Sequence, residues 1–518
     1  MAVTLGSNQI SGLVTPTGDI SGNVVTSQYM ELNATRPNVT FISRCGHNSL
    51  FILADGIMYS TSASAGVYNN NTTGRGLSGI ATGYGLDGMK QVPVPTTYPI
   101  ASAGGGWHGV AWALDTAGQL FTWGINTVGQ CGNGTVAAIP NPILVATGVV
   151  KVYDDPSNGS YDVNYNRLFI LKTDGYVYAA GYNGYGQLGI GSTTNASVFT
   201  KIVQTGGISF PANSIVSLWN LGSVYGMTIA QTTDGHIWVC GLNNYGQLGL
   251  GSTANASFFT DTSGVWNGND YTMVIQKVGG GWGYLDSAAQ SHGTVLMWLK
   301  NPGGTDILRT CGSNVWGGIG DGTAVNITTP KAPTITLGTN VIADIATCGG
   351  GPVTIHVLLT SGALWGWGYN SYGQLGVNSV ATVSTPTQIF ASGVRRLLHH
   401  GLNGYNYSYF AQSIIELTDG SIYVTGYNGV GQLGVGDATQ RQVFVPCLIN
   451  NYIRKVPGAV KFIGHSQVQS QHDVFVAVTA NNTIYAWGVN NYNGVTIQTT
   501  NHVYYPVQFT LNKGKRNY

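Results

Sequence analysis

One phrase, written five times with little change, constrains this chain more than any other feature. Gly181-Tyr182-Asn183-Gly184-Tyr185-Gly186-Gln187-Leu188-Gly189 returns as Gly241-Leu242-Asn243-Asn244-Tyr245-Gly246-Gln247-Leu248-Gly249. Other copies start at Trp123, Gly368 and Gly426, the last two closing on Gly373-Gln374-Leu375-Gly376 and Gly431-Gln432-Leu433-Gly434. Worn copies stand at Gly312–Gly317 and Gly488–Tyr492. About six residues before most copies lies a tight-turn signal, seen as Thr173-Asp174-Gly175, Thr233-Asp234-Gly235 and Thr418-Asp419-Gly420. Asp-Gly between two β-prone runs, such as Leu168–Leu171 and Tyr176–Ala179, marks a hairpin whose turn needs positive φ.

The turn glycines Gly56, Gly118, Gly175, Gly235, Gly362 and Gly420, with Asn481-Asn482 in the same slot, recur about every 60 residues. The one double gap, between Gly235 and Gly362, holds an eroded unit from Met297 to Cys311 with Pro302-Gly303-Gly304 at its turn. The reading is therefore eight units. A single hairpin unit cannot bury both of its faces, but units stacked around an axis can. The expected fold is all-β, a β-propeller of seven or eight blades spanning residues 41–518. Residues 1–40 carry no repeat and are expected to form an N-terminal arm or docking segment. In each copy the glycines should let the backbone turn sharply, Leu188, Leu248, Leu375 and Leu433 should pack between blades, and the glutamine should satisfy loop carbonyls.

Composition excludes the main rivals. Only 8% of the 518 residues are charged, against about a quarter in ordinary soluble proteins. The 43% apolar content and net charge of +1 oppose disorder. The 76 glycines have no three-residue period, which excludes collagen, and would each weaken a helix, which opposes a helical bundle. A near-neutral chain lacks the basic surface that holds phosphates, so no nucleic-acid partner is expected. Lys513, Lys515 and Arg516 read as a solvated basic terminus. The six cysteines include no C-x-x-C pair; Cys45, Cys240, Cys311 and Cys348 each precede a glycine, as core residues in matching slots would. Met1–Gly22 has no basic start followed by an apolar run, so it does not read as a secretory signal, and no stretch approaches the length of a membrane span. No membrane insertion is expected.

The phrase Gly-Tyr-Asn-x-Tyr-Gly-Gln-Leu-Gly, following Asp-Gly and a strand, resembles the repeat of the regulator of chromosome condensation family. The resemblance covers nearly all of residues 41–511 and implies a β-propeller, of seven blades in that family. Eight units here depart from that number.

Motifs for chemistry are absent. There is no G-x-S-x-G, H-E-x-x-H or Walker A pattern, and Gly104–Gly106 and Gly279–Gly281 lack a strand-to-helix context. His47, His108 and His465 follow blade-start glycines and could converge on the axis, but the repeat register favours hydrogen bonds to neighbouring backbone. His399-His400 reads as a loop pair. Glu416 and Asp419 are separated by a strand end, a poor geometry for paired-carboxylate hydrolysis. No catalytic residue, metal or cofactor is expected. The candidate binding residues are aromatic, namely Tyr405, Tyr407 and Tyr409, and Tyr161 with Tyr165, because tyrosine among Asn, Ser and Gly suits adaptable recognition surfaces.

The composition suits a protein that works outside cells, yet no export signal is read. This combination leads to the expectation of a non-enzymatic structural or host-recognition component of a virus particle, such as a phage tail, fibre or appendage. Its expected partners are other virion proteins through the arm and a host-surface receptor or glycan on the loops, with self-association within the particle. The alternative is a bacterial surface or extracellular propeller that binds a protein. A nucleotide-exchange factor for a small GTPase follows from the resemblance alone, and the low charge speaks against it.

Overall fold

The computed structural model describes residues 39–45, 49–54, 56–61, 89–105, 110–153, 166–221, 226–284, 291–335, 337, 341–348, 353–400, 412–453, 455–466, 474–479, 484–488 and 503–509. Their strands form eight sheets, each drawn from one continuous stretch of chain. Blade 1 is β1 (Val39–Cys45), β2 (Ser49–Ala54), β3 (Ile57–Thr61) and β4 (Met89–Gln91). Blade 2 is β5 (Ile100–Gly105), β6 (Val110–Asp115), β7 (Leu120–Gly124) and β8 (Ile139–Ala146). Blade 3 is β9 (Val149–Tyr153), β10 (Arg167–Lys172), β11 (Val177–Gly181) and β12 (Ala196–Lys201). A small hairpin follows, β13 (Val203–Gln204) and β14 (Ile208–Ser209).

Blade 4 is β15 (Ile215–Leu221), β16 (Met227–Thr232), β17 (Ile237–Gly241) and β18 (Ala256–Asp261), then a one-turn helix α1 (Ser263–Trp266). Blade 5 is β19 (Val274–Tyr284), β20 (Ser291–Lys300), β21 (Ile307–Gly312) and β22 (Ile327–Lys331). Blade 6 is β23 (Ile342–Cys348), β24 (Thr354–Leu359), β25 (Leu364–Gly368) and β26 (Val383–Phe390). Blade 7 is β27 (Val394–His400), β28 (Gln412–Leu417), β29 (Ile422–Gly426) and β30 (Arg441–Pro446). Blade 8 is β31 (Val460–Ser466), β32 (Val474–Thr479), β33 (Ile484–Gly488) and β34 (Val503–Phe509).

The sheets are antiparallel meanders, and the eroded unit of blade 5 is as complete as the rest. The β13–β14 hairpin extends blade 4 to six strands by pairing Gln204 in parallel with Phe259 of β18. First strands of neighbouring blades touch, as β1 does β5, β19 does β23 and β23 does β27, which places them nearest the axis. The described residues thus supply eight blades of a β-propeller, in line with the eight units counted in the sequence. The meander gives each blade two ends. One, here called the loop end, carries the first-to-second and third-to-fourth connections. The other, the turn end, carries the hairpin turns and the links between blades.

The core lies between blades. Leu188 packs with Ala230, Cys240 and Phe259 of the next blade, and Leu433 with Phe475 and Trp487. Leu188, Leu248, Leu375 and Leu433 are all fully buried.

One local reading is borne out and filled in, and a second needs correction. The Asp-Gly turns place only the glycine at positive φ, 79° at Gly175, while the aspartates are not among the positive-φ residues. Gly175 N donates to Lys172 O at 2.9 Å and Lys172 N to Tyr176 O at 3.1 Å, so the loop is a three-residue turn with its glycine in the last place. Asp174 instead accepts Tyr176 N at 3.0 Å, a role for the carboxylate that favours Asp there. Secondly, His399 and His400 end strand β27, opposite Ile414 and Ser413, and do not form a loop pair. A strand there follows from the bulge between Leu397 and His399, which hides the alternation in sequence.

Candidate functional site

The loop between the third and fourth strands is organised by its asparagine. Asn243 is fully buried; its Oδ1 accepts Leu248 N at 2.8 Å, and its Nδ2 donates to Ser252 O at 2.9 Å and Ala254 O at 3.0 Å. Asn183 repeats this with Leu188, Ser192 and Thr194, Asn370 with Leu375, Ser379 and Ala381, and Asn428 with Leu433, Asp437 and Thr439. Asn126 and Asn314 do the same work in the degenerate copies. Sequence reasoning missed this residue, although Asn holds the third place in every copy.

The glutamine acts otherwise than expected. Gln187, Gln247, Gln374 and Gln432 accept, through Oε1, the backbone N–H two residues earlier. Only Gln374 among these four also donates to a loop carbonyl, Tyr369 O at 3.0 Å; the Nε2 of Gln187, Gln247 and Gln432 has no partner.

Each such loop hooks onto the next blade. Gly191 N donates to Ser257 O at 2.9 Å, Gly251 N to Thr328 O at 2.9 Å, and Gly436 N to Tyr504 O at 2.7 Å. The hook requires glycine where the chains meet. A Cβ on Gly246, at φ 80°, would lie 2.5 Å from Thr328 Cα. Gly186, Gly373 and Gly431 stand in the same place, and Gly189, Gly249, Gly376 and Gly434 meet a ring or proline of the next blade. These repeat residues are therefore fasteners between blades.

The other sequence candidates distribute as follows. Tyr161 and Tyr165 fall in the connection between β9 and β10, and Tyr405, Tyr407 and Tyr409 in that between β27 and β28. All five lie outside the described residues, as do His47 and His108. His465 lies in β31. Glu416 is buried, takes ion pairs from Arg395 at 2.8 Å and from Arg396, and accepts Gly458 N of the link to blade 8 at 2.6 Å. Asp419 holds Ser421 N at 2.8 Å within its own turn. The two carboxylates serve separate structural roles. Cys131, Cys240, Cys311 and Cys447 are free and buried, and burial pushes the thiols of Cys131, Cys311 and Cys447 up to about 12. Among the described residues no group of three metal-ligating side chains forms.

What remains chemically available is the turn end. Each first strand begins with a bulge that leaves one residue unpaired, and the described ones are exposed: Ala101, Val150, Val216, Gln276, Ala343 and Arg395. Exposed Tyr98, Tyr271 and Tyr452 lie on the links between blades at the same end. Blade 3 adds lysines. Lys201 Nζ lies 3.4 Å from the Tyr176 ring centroid, Lys172 Nζ 5.5 Å from that of Tyr178, and Lys151 Nζ 4.5 Å from that of Tyr153. An apolar and partly cationic surface of this kind is suited to binding.

Comparison with known proteins agrees with the repeat. The model of the regulator of chromosome condensation (RCC1) repeat matches residues 117–153, 234–262 and 361–399. The chain is 25% identical over 361 residues to the ultraviolet-B receptor UVR8 of Arabidopsis thaliana, covering 69% of each. It is 25% identical over 328 residues to a secretion-regulating guanine nucleotide exchange factor of Bos taurus, covering 62% of each. It is 24% identical over 417 residues to the E3 ubiquitin-protein ligase HERC2 of Mus musculus, but spans only 7% of that protein's length. Among solved structures, Prp20p of Saccharomyces cerevisiae is 17% identical with a TM-score of 0.45, covering 77% of this chain and 87% of that one. Three segments of the chain thus match the RCC1 repeat, and the sheets of its described residues are those of a β-propeller.

Proposed function

We propose that the chain is a non-catalytic propeller that recognises a protein partner. The observation that carries this reading is the division of labour in the fold. The repeat's own polar groups are spent on clasping loops and fastening blades, whereas the turn end presents exposed tyrosines, valines and lysines. Tyrosine and apolar surface of that kind is enriched where proteins meet.

Two finer readings are distinguishable. An exchange factor for a small GTPase has the support of the bovine relative, whose name states that activity. A structural or host-recognition component of a virus particle, with virion proteins as partners, rests on the sequence alone, on its composition, the lack of a readable export signal and the repeat-free segment 1–40. Loading a panel of small GTPases with a fluorescent nucleotide and adding the chain tests the first; accelerated release establishes it, and unchanged release across the panel removes it. Detection of the chain in purified particles tests the second, and its absence from them removes it. Failure of the chain to bind any protein in both settings overturns the general reading.

A further inference from the structure

Charge in this protein is scarce, and among the described residues six of its lysines and arginines sit in ion pairs. Lys277 sits on Asp344 at 2.7 Å, Lys300 on Asp306 at 3.1 Å and Lys331 on Asp321 at 3.0 Å. Arg395 and Arg396 share Glu416, and Arg441 sits on Asp437 at 2.7 Å. Blade 3 breaks the pattern. Lys151, Lys172 and Lys201 have no carboxylate within ion-pair reach and rest on tyrosine rings. The one carboxylate beside them, Asp174, is engaged by Tyr178 OH at 2.6 Å and Tyr176 N at 3.0 Å.

Pairing places these groups together. Lys201 stands opposite Tyr178 across β11 and β12, and Lys172 N bonds Tyr176 O, so both lysines reach the same face beside the turn. The strands that carry them, β10 and β12, flank β11, which separates their roots by about 10 Å. Just toward the axis the bulge exposes Val150, 56% accessible. Tyr178 and Ile170, which share this face, pack toward blade 2, so a cationic corner with an exposed valine at its inner edge is built into the turn end of blade 3.

We propose that this corner binds an acidic segment of a protein partner, with carboxylates on Lys172 and Lys201 and an apolar residue against Val150. The proposal rests on the protein-recognition reading above and names its surface. Charge complementarity selects the occupant. A nucleic acid would need basic surface beyond this corner, and the chain carries only +1 overall. A sugar would need open ring faces, and the lysines already lie over Tyr176 and Tyr178.

The test uses the full chain and a labelled peptide of alternating glutamate and leucine, followed by fluorescence anisotropy. The glutamate peptide should bind more tightly than its glutamine analogue and weaken as salt rises. Lys172→Glu with Lys201→Glu should weaken it about tenfold or more, since like charges then face each other. Lys172→Gln with Lys201→Gln, which leaves no repulsion to unfold the corner, should give a smaller loss in the same direction. Lys331→Gln, in blade 5 and paired with Asp321 of the loop end, should leave binding unchanged. Equal binding of the two peptides, or unchanged binding by the neutral double variant with its melting temperature intact, overturns the proposal. So does binding of a sulfated polysaccharide in place of the peptide. A chain that accelerates nucleotide release or is found in particles, yet ignores the peptide, loses this surface and keeps the protein-recognition reading.

Discussion

Replacing Asn243 with alanine isolates the clasp that shapes the third-to-fourth loops of blades 2 to 7. The side chain is fully buried and makes three hydrogen bonds, to Leu248 N, Ser252 O and Ala254 O. Each bond contributes about 0.5–1.5 kcal/mol net, and the Leu248 N–H left without a partner inside the protein adds a desolvation cost of about 1–3 kcal/mol. The expected loss is about 3–5 kcal/mol. At about 2 cal/mol/K per residue, an unfolding unit of about 480 residues has an entropy near 1 kcal/mol/K, so the midpoint should fall by about 3–5 °C in calorimetry. If blades 4 and 5 open before the rest, fewer residues share the loss and the fall is larger. The local signature is faster hydrogen exchange at Leu248 and across the 242–256 loop. Asn244, exposed beside it, is the control, and Asn244→Ala should shift the midpoint by under 1 °C. A shift that small for Asn243→Ala, with Leu248 still protected, would refute the clasp.

His356 is buried against Leu375 O, and burial holds its pKa down at about 4 against an ordinary 6.5. The unfolded chain therefore binds the proton first, so stability falls as pH drops from about 6.5 to 4, by about 3 kcal/mol in all; melting curves of His356→Gln should show a correspondingly shallower fall, and parallel curves would exclude this role. Gly246→Ala places a Cβ 2.5 Å from Thr328 Cα, whereas Gly268→Ala, at a similar positive φ of 65°, meets nothing within 4 Å. The second should cost about 1–2 kcal/mol in denaturant titration and the first distinctly more; equal costs would mean that the hook is not a close contact. A chain beginning at Asn38 should melt like the full chain, because the eight sheets take their strands from Val39 onward; a midpoint lower by several degrees would show that residues 1–37 complete the propeller.

The repeat made the architecture legible because its signals are local. A turn glycine, a buried leucine and a glycine-rich loop recur about every 60 residues, and each can be read without knowing what it touches. Even blade 5 could be counted, since Met297–Leu299 and Arg309–Cys311 keep strand character on either side of the inserted Pro302-Gly303-Gly304. What could not be read was chemistry that depends on partners. Gln187 was legible as a loop residue, but its acceptor role at Tyr185 N depends on backbone direction. Asn183 gave a clear positional signal that was passed over in favour of the glutamine. Lys172 and Lys201 were invisible as a pair because they lie 29 residues apart in sequence and share a face only when β10, β11 and β12 are laid side by side. The tyrosine candidates in 154–165 and 401–411 remain a reading of the sequence.

The offset between repeat and blade explains why one motif can both build and fasten the ring. The matched segment 117–153 starts at the hairpin turn of blade 2, runs through β7 and β8, and ends on β9, the first strand of blade 3. Segment 361–399 likewise joins β25 and β26 to β27 of the next blade. These two sequence units are therefore covalently shared between two blades, whereas 234–262 ends just past β18 of blade 4. The loop of a repeat crosses the boundary between blades a second time, as Gly134 N to Ser197 O and Gly322 N to Ser384 O show. The turn glycine crosses it a third time, with Val149 N donating to Gly118 O and Asn213 N to Gly175 O at the opposite end. Successive blades are thus held at both ends and through the chain itself. A rigid frame of this kind leaves little freedom to be lost on binding. A partner that docks on the turn end meets tyrosines and lysines already held in place by the strands beneath them.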